Sequence, residues 1–131
     1  MRTLAAGLLL FLVYPPCQAQ GQVQVPLFEA VKNASTQLYL SQPDSAIQLA
    51  ERGLQLATEM KAPYEEGMAC FLLAKAHWVK TNYLLSTKYG YHALRIFEQT
   101  ADTLEWGSTL LAIGRNLIDL RDFEQAEGII H

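Results

Sequence analysis

Cysteine is nearly missing from these 131 residues, with Cys17 and Cys70 the only two. The first sits in a stretch that reads as a leader, so the remainder has no internal disulfide and would rely on packing alone. Cys70 lies in the apolar run Met68 to Ala74 and reads as a small buried hydrophobe. Charge is sparse as well: ten Lys/Arg against thirteen Asp/Glu leave a net −3. That balance gives no electrostatic footprint for nucleic acid. Nor is there a basic amphipathic helix to lie on a membrane. Every glycine is isolated, which removes the Gly-rich phosphate loop. His77, His92 and His131 keep no ligand spacing with cysteine or paired carboxylates, so no zinc site is expected. Glu65-Glu66 suits the positive end of a helix dipole and needs no catalytic role. The expectation is a segment without cofactor, metal or enzymatic activity.

Long hydrophobic runs are also wanting. The longest, Leu4 to Val13, has ten residues, half of the ~20 a spanning helix needs. Met1-Arg2 supplies a positive start before it, and Pro15-Pro16 and the polar Cys17-Gln18-Ala19-Gln20 follow. Cys17 and Ala19 occupy the −3 and −1 places of a cut before Gln20. Residues 1–19 therefore read as a signal peptide, and the protein as exported to the periplasm or cell envelope. An uncleaved anchor is disfavoured by the short run. A lipoprotein cut before Cys17 is disfavoured by Tyr14 and two prolines.

What the chain does have is a repeat. Shifted by forty residues, Ala74 falls on Ala34 and Gly114, and Ser86 on Ala46 and Ala126. Gly90 falls on Ala50, Ala93 on Gly53, Leu94 on Leu54 and Ile96 on Leu56, with no gap introduced. Small residues recurring in register are rarer by chance than apolar ones, and a period of 20–50 residues marks stacked supersecondary units. The units are 27–66, 67–106 and an incomplete 107–131, after a polar lead-in over 20–26.

Each unit reads as two helices. The first starts at Pro26 and ends near Leu40, and Pro43 opens the second, whose Ala46, Ile47, Leu49, Ala50, Gly53, Leu54, Leu56 and Ala57 form a core-facing stripe. Ala62-Pro63 opens a third helix that is apolar nearly all round from Met68 to Val79, so it should lie between neighbours. Asn82 reads as the N-cap of a fourth helix over Tyr83 to Thr100. Asp102 with Glu105 reads as a capping box for a fifth, and Asp122 with Gln125 as the start of a sixth. That last helix stops on Ile129-Ile130, where a solenoid end calls for a polar outer face. The expectation is a fragment of something longer.

Numbered from Leu27, Gly67 and Gly107, the units keep small residues at position 8 (Ala34, Ala74, Gly114), position 20 (Ala46, Ser86, Ala126) and position 27 (Gly53, Ala93). A ring occurs at position 17 in Pro43, Tyr83 and Phe123. This spacing resembles the tetratricopeptide repeat (TPR) across residues 27–131, and HEAT-type helix pairs of similar period lack it. The resemblance implies an all-α, right-handed solenoid of antiparallel helix pairs, about two and a half repeats long. The chain departs from the family in its forty-residue period, against the usual 34. It departs also at Ala30, Cys70 and Leu110 and at Gln37, His77 and Leu117, where aromatics are usual, and places Asn33 at a core position.

In such repeats the first helix of each pair lines a concave binding face. By that resemblance Met68, Phe71, Lys75, Trp78 and Val79 of the second unit, and Ser108, Leu111, Arg115, Ile118 and Asp119 of the third, point into a groove. Lys75 and Arg115 then stand one repeat apart as donors to a partner's carboxylate or backbone. Met68, Phe71 and Trp78, on an apolar helix, are of the kind more often found in a core. Ser35, Lys75 and Arg115 share the position at which the chaperone-binding subset of the family carries asparagine, so its terminal-carboxylate clamp is not expected. The implied function is an exported module gripping a protein or peptide. A leader followed directly by such repeats also resembles the extracytoplasmic input region of Bacteroidetes-type sensor histidine kinases, and an envelope assembly scaffold is a third reading. A membrane association would need an uncleaved N-terminus or a further C-terminal segment.

Overall fold

The computed structural model describes residues 17–130. Most of the expected leader, and His131, lie outside the described residues. Those described form five helices and no strand: α1 (Cys17–Leu38), α2 (Pro43–Met60), α3 (Pro63–Val79), α4 (Tyr83–Thr100) and α5 (Thr103–Ile130). Consecutive helices pack on one another, and the contacts run antiparallel. Ser35 near the end of α1 meets Ala46 near the start of α2, while Phe28 meets Gly53 further along it. Likewise Ala74 meets Ser86 and Gly67 meets Phe97 between α3 and α4.

The connections explain why the helices stop where they do. Pro43 and Pro63 occupy the first turns of α2 and α3, where a missing N–H leaves nothing unpaired. Three turns share one geometry. At Lys61, Thr81 and Ala101 the backbone is left-handed, with φ of 51°, 62° and 58°. In each, that residue's N–H donates to the carbonyl three back, and the next N–H donates to the carbonyl five before itself: Ala62 to Ala57, Asn82 to His77, Asp102 to Phe97. These are Schellman closures, which use up orphan helix carbonyls, built without the usual glycine. Asn82 precedes α4 as expected, but its side chain makes no capping bond. The Asp102 carboxylate accepts a hydrogen bond from the Thr100 hydroxyl.

Two boundaries differ from expectation. α1 begins at Cys17, so Pro26 lies inside a helix rather than at its start; the Gln-rich segment before it has adequate helix propensity. α5 runs unbroken from Thr103 to Ile130, replacing the expected fifth and sixth helices. The other turns have a proline or a left-handed residue to enforce the break, whereas Leu120-Arg121-Asp122 has neither.

Burial on α2 and α4 repeats at forty-residue spacing: Ala46 and Ser86, Ala50 and Gly90, Gly53 and Ala93, Leu56 and Ile96, Ala57 and Phe97 are all buried. The first helices keep this register less well. Ser35, not Ala34, is fully buried at the crossing with α2, and Asn33 is exposed rather than in the core. The gapless superposition is therefore off by one residue in α1. The two crossings use the same bond in opposite directions. Ser35 Oγ on α1 donates to the Ala46 carbonyl of α2 at 2.9 Å, and Ser86 Oγ on α4 donates to the Ala74 carbonyl of α3 at 2.6 Å. Ser86 Oγ also accepts from Asn116 Nδ2 of α5 at 2.6 Å, joining three helices through one hydroxyl.

α3 is the spine. It packs on all four other helices, whereas the backbones of α2 and α4 stay more than 8 Å apart, Cα to Cα. Its residues enter every buried cluster: Ala69 joins Phe28, Leu56 and Ala57; Leu72 and Leu73 join Ala50; Cys70 joins Ala93 and Phe97. Burial pushes the Cys70 thiol up to about 12, with Glu66 adding to the shift, so it is held as a neutral apolar group. His77 on α3 stacks on Tyr89 of α4, ring centroids 5.6 Å apart, and its buried Nδ1 has no hydrogen-bond partner. Burial lowers its pKa below the ordinary 6.5, Lys80 lowers it further, and Glu51 opposes them.

Three outcomes follow from this packing. A Cβ on Gly67 would lie 2.6 Å from Phe97 Cε1, while one on Gly107 would meet nothing within 4 Å. Gly67→Ala should therefore cost about 1–3 kcal/mol by overpacking, and Gly107→Ala should gain about 0.5–1 kcal/mol by helix propensity, both read from urea melts. Thr81 is β-branched in a left-handed conformation, so Thr81→Gly should stabilise by roughly 0.5–1 kcal/mol in the same assay. His77 is favoured neutral in the fold, so the unfolded chain takes up its proton first. Stability should be complete above pH 6.5 and fall as pH drops below that value. In a pH series of thermal melts, His77→Phe should remove that part of the acid sensitivity.

Candidate functional site

Because α3 touches both α1 and α5, the three helices share one face, and a cavity of about 310 Å³ opens along it. Phe71, Lys75 and Trp78 recur on α3 at spacings of four and three, which aligns them on one side of the helix. Ser108, Leu111, Ala112 and Arg115 form the α5 wall, and Tyr39 closes the α1 end. The volume sits at the lower end of the range for small-molecule sites. It has room for one or two amino-acid side chains.

Each cation in this wall lies over a ring. Lys75 Nζ stands 4.5 Å from the centroid of Tyr39 and 5.5 Å from that of Phe71. The Arg115 guanidinium carbon lies 4.0 Å from the centroid of Trp78. Such contacts contribute about 0.5–1 kcal/mol each when exposed and more when desolvated. Trp78 is held from its other side too, since its Nε1–H donates to Asp119 Oδ2 at 2.6 Å. The pair Trp78–Asp119, with Tyr64 donating to Glu105 at 3.1 Å, ties α3 near both its ends to the part of α5 between Glu105 and Asp119.

Burial lowers the Lys75 pKa below its ordinary 10.5, and the nearby Arg115 lowers it further. A second positive charge on the same face thus makes the protonated amine more costly. A negative group entering the cavity would relieve that cost at Lys75.

Of the residues expected in the groove, Phe71, Lys75, Trp78, Ser108, Leu111 and Arg115 meet around this one cavity. Asp119 lies beside it through its bond to Trp78. Met68 stands apart, half-buried and packed against two of the core clusters. Ile118 is 62% exposed and faces away from the core. Ser108 has its hydroxyl committed to the Leu104 carbonyl at 3.0 Å, which leaves the oxygen as an acceptor. Tyr39 and Ala112 were not expected. Tyr39 shares the numbered position of Val79 and Asp119, but α1 is off that register by one residue, so the match does not account for its place in the wall. Ala112 carried no signal beyond being small.

Among the described residues no group of three or more His, Cys, Asp or Glu is placed to hold a metal ion. None of the described helices is long and apolar enough to cross a membrane. Comparison with known proteins finds no match: no family model fits the chain, no curated protein is similar to it, and no solved structure matches it.

Proposed function

We propose that this chain is an exported, non-catalytic interaction module, a TPR-like right-handed solenoid whose first helices grip a protein or peptide partner. The observation that carries the reading is the convergence of Phe71, Lys75, Trp78, Leu111 and Arg115 on one open groove, with both cations set over aromatic rings. Forty-residue recurrence of the buried positions on α2 and α4 supports the repeat architecture. The groove offers two kinds of recognition at once. Its rings and Leu111 take apolar side chains, and Lys75 and Arg115 attract a carboxylate or backbone carbonyl. An extended or helical segment laid across α1, α3 and α5 would meet all of these.

The test is charge reversal. Lys75→Glu with Arg115→Glu should lower partner capture from envelope extract by about tenfold or more, equivalent to about 1.4 kcal/mol, with an unchanged far-UV circular dichroism spectrum. Equal capture by the double variant would overturn the assignment of the groove.

A further inference from the structure

A second cavity, of about 330 Å³, lies on another face of α3. It lies where α2 and α4 both pack on α3 while their backbones stay apart. Leu54 of α2, Cys70 of α3 and the Tyr89 ring of α4 line it with apolar surface. Lys88, His92 and Arg95 of α4 stand along its wall, at spacings of four and three that put them on one side of the helix. Lys88 and Arg95 are two turns apart, about 10 Å along the axis, with His92 between them.

The charges here are arranged differently from those in the groove. Glu66 is the single carboxylate in the wall, and it faces His92 at 3.3 Å. Neither Lys88 nor Arg95 makes a salt bridge or cation–π contact among the described residues. In a chain of net charge −3, this crevice therefore carries two cations against one carboxylate. Lys75 and Arg115 in the groove each lie over a ring; Lys88 and Arg95 have no such partner among the described residues. The cysteine belongs to the apolar lining and not to the chemistry, since its thiol is neutral and buried.

We propose that this crevice binds an amphiphilic carboxylate, with an acyl tail on Leu54 and Tyr89 above the buried Cys70 and an anionic head held by Lys88 and Arg95. An apolar floor under a cationic edge is complementary to that combination. A bare anion would leave the floor wet, and a neutral alcohol would leave both cations unanswered. The site is separate from the partner groove and does not depend on the function proposed for it.

Isothermal titration of the full chain with decanoate, decanol and inorganic phosphate tests this directly. Decanoate should bind saturably at one site, with decanol and phosphate each at least tenfold weaker. Lys88→Gln with Arg95→Gln, both at exposed positions, should weaken decanoate at least tenfold with no change in melting temperature of the free protein. Lys32→Gln with Lys61→Gln, the same loss of charge elsewhere, should leave decanoate affinity unchanged. Equal affinity for decanol would overturn the role of the cations. Equal affinity for phosphate would overturn the role of the apolar floor. Decanoate binding that survives in the Lys88/Arg95 variant, or no saturable binding at all, would overturn the site.

Discussion

Everything in this fold depends on how closely helices can approach α3. An apolar helix surrounded on most sides is stable only if its neighbours come near enough to exclude water. Here they do so through small residues at the crossings: Gly67 beneath the Phe97 ring, Ala74 against Ser86, Gly53 beside Phe28 and Ala69. Close approach also brings backbone carbonyls within reach of short side chains. Ser35 and Ser86 answer two of them, so the crossings are fixed by directional bonds as well as by volume. Ser86 carries the greater share, because Asn116 leans on the same hydroxyl from α5. Asn116 is 2% exposed and its Oδ1 has no partner. Burying that oxygen has a cost, and the bond to Ser86 sets it against the linkage of three helices.

Much of this was legible in the sequence. The positions of α2 and α4 were readable because small residues at a crossing are dictated by geometry and cannot be exchanged for larger ones, so they recur in register. The prolines at 43 and 63 marked helix starts for an equally local reason. The first helix was harder. Its one-residue shift, with Ser35 at the crossing in place of Ala34, is invisible to an alignment that treats both as small. The straight run of α5 past Asp122 escaped notice because a cap residue permits a helix start without compelling one. At the three Schellman turns the break is set by left-handed backbone at Lys61, Thr81 and Ala101, residues whose types announce nothing of the kind.

Most of the residues around the first cavity were named through the repeat resemblance, and residues three, four and seven apart on one helix do share a face. What the sequence could not convey was pairing between helices. That Lys75 stands over Tyr39, and that Trp78 is clasped by Arg115 and Asp119, depends on how α1, α3 and α5 are set side by side. The crevice under Lys88 and Arg95 was unreadable for the same reason. It lies where the backbones of two helices stay apart, and no residue encodes a gap.

That gap has a mechanical consequence. On one side of α3, cross-links such as Trp78 to Asp119 and Tyr64 to Glu105 join the helices that form the groove. On the other, the backbones of α2 and α4 stay apart, and among the described residues no hydrogen bond or ion pair joins the two. Two walls of the groove are therefore bonded to each other, while the facing walls of the crevice are held only through the helix beneath them.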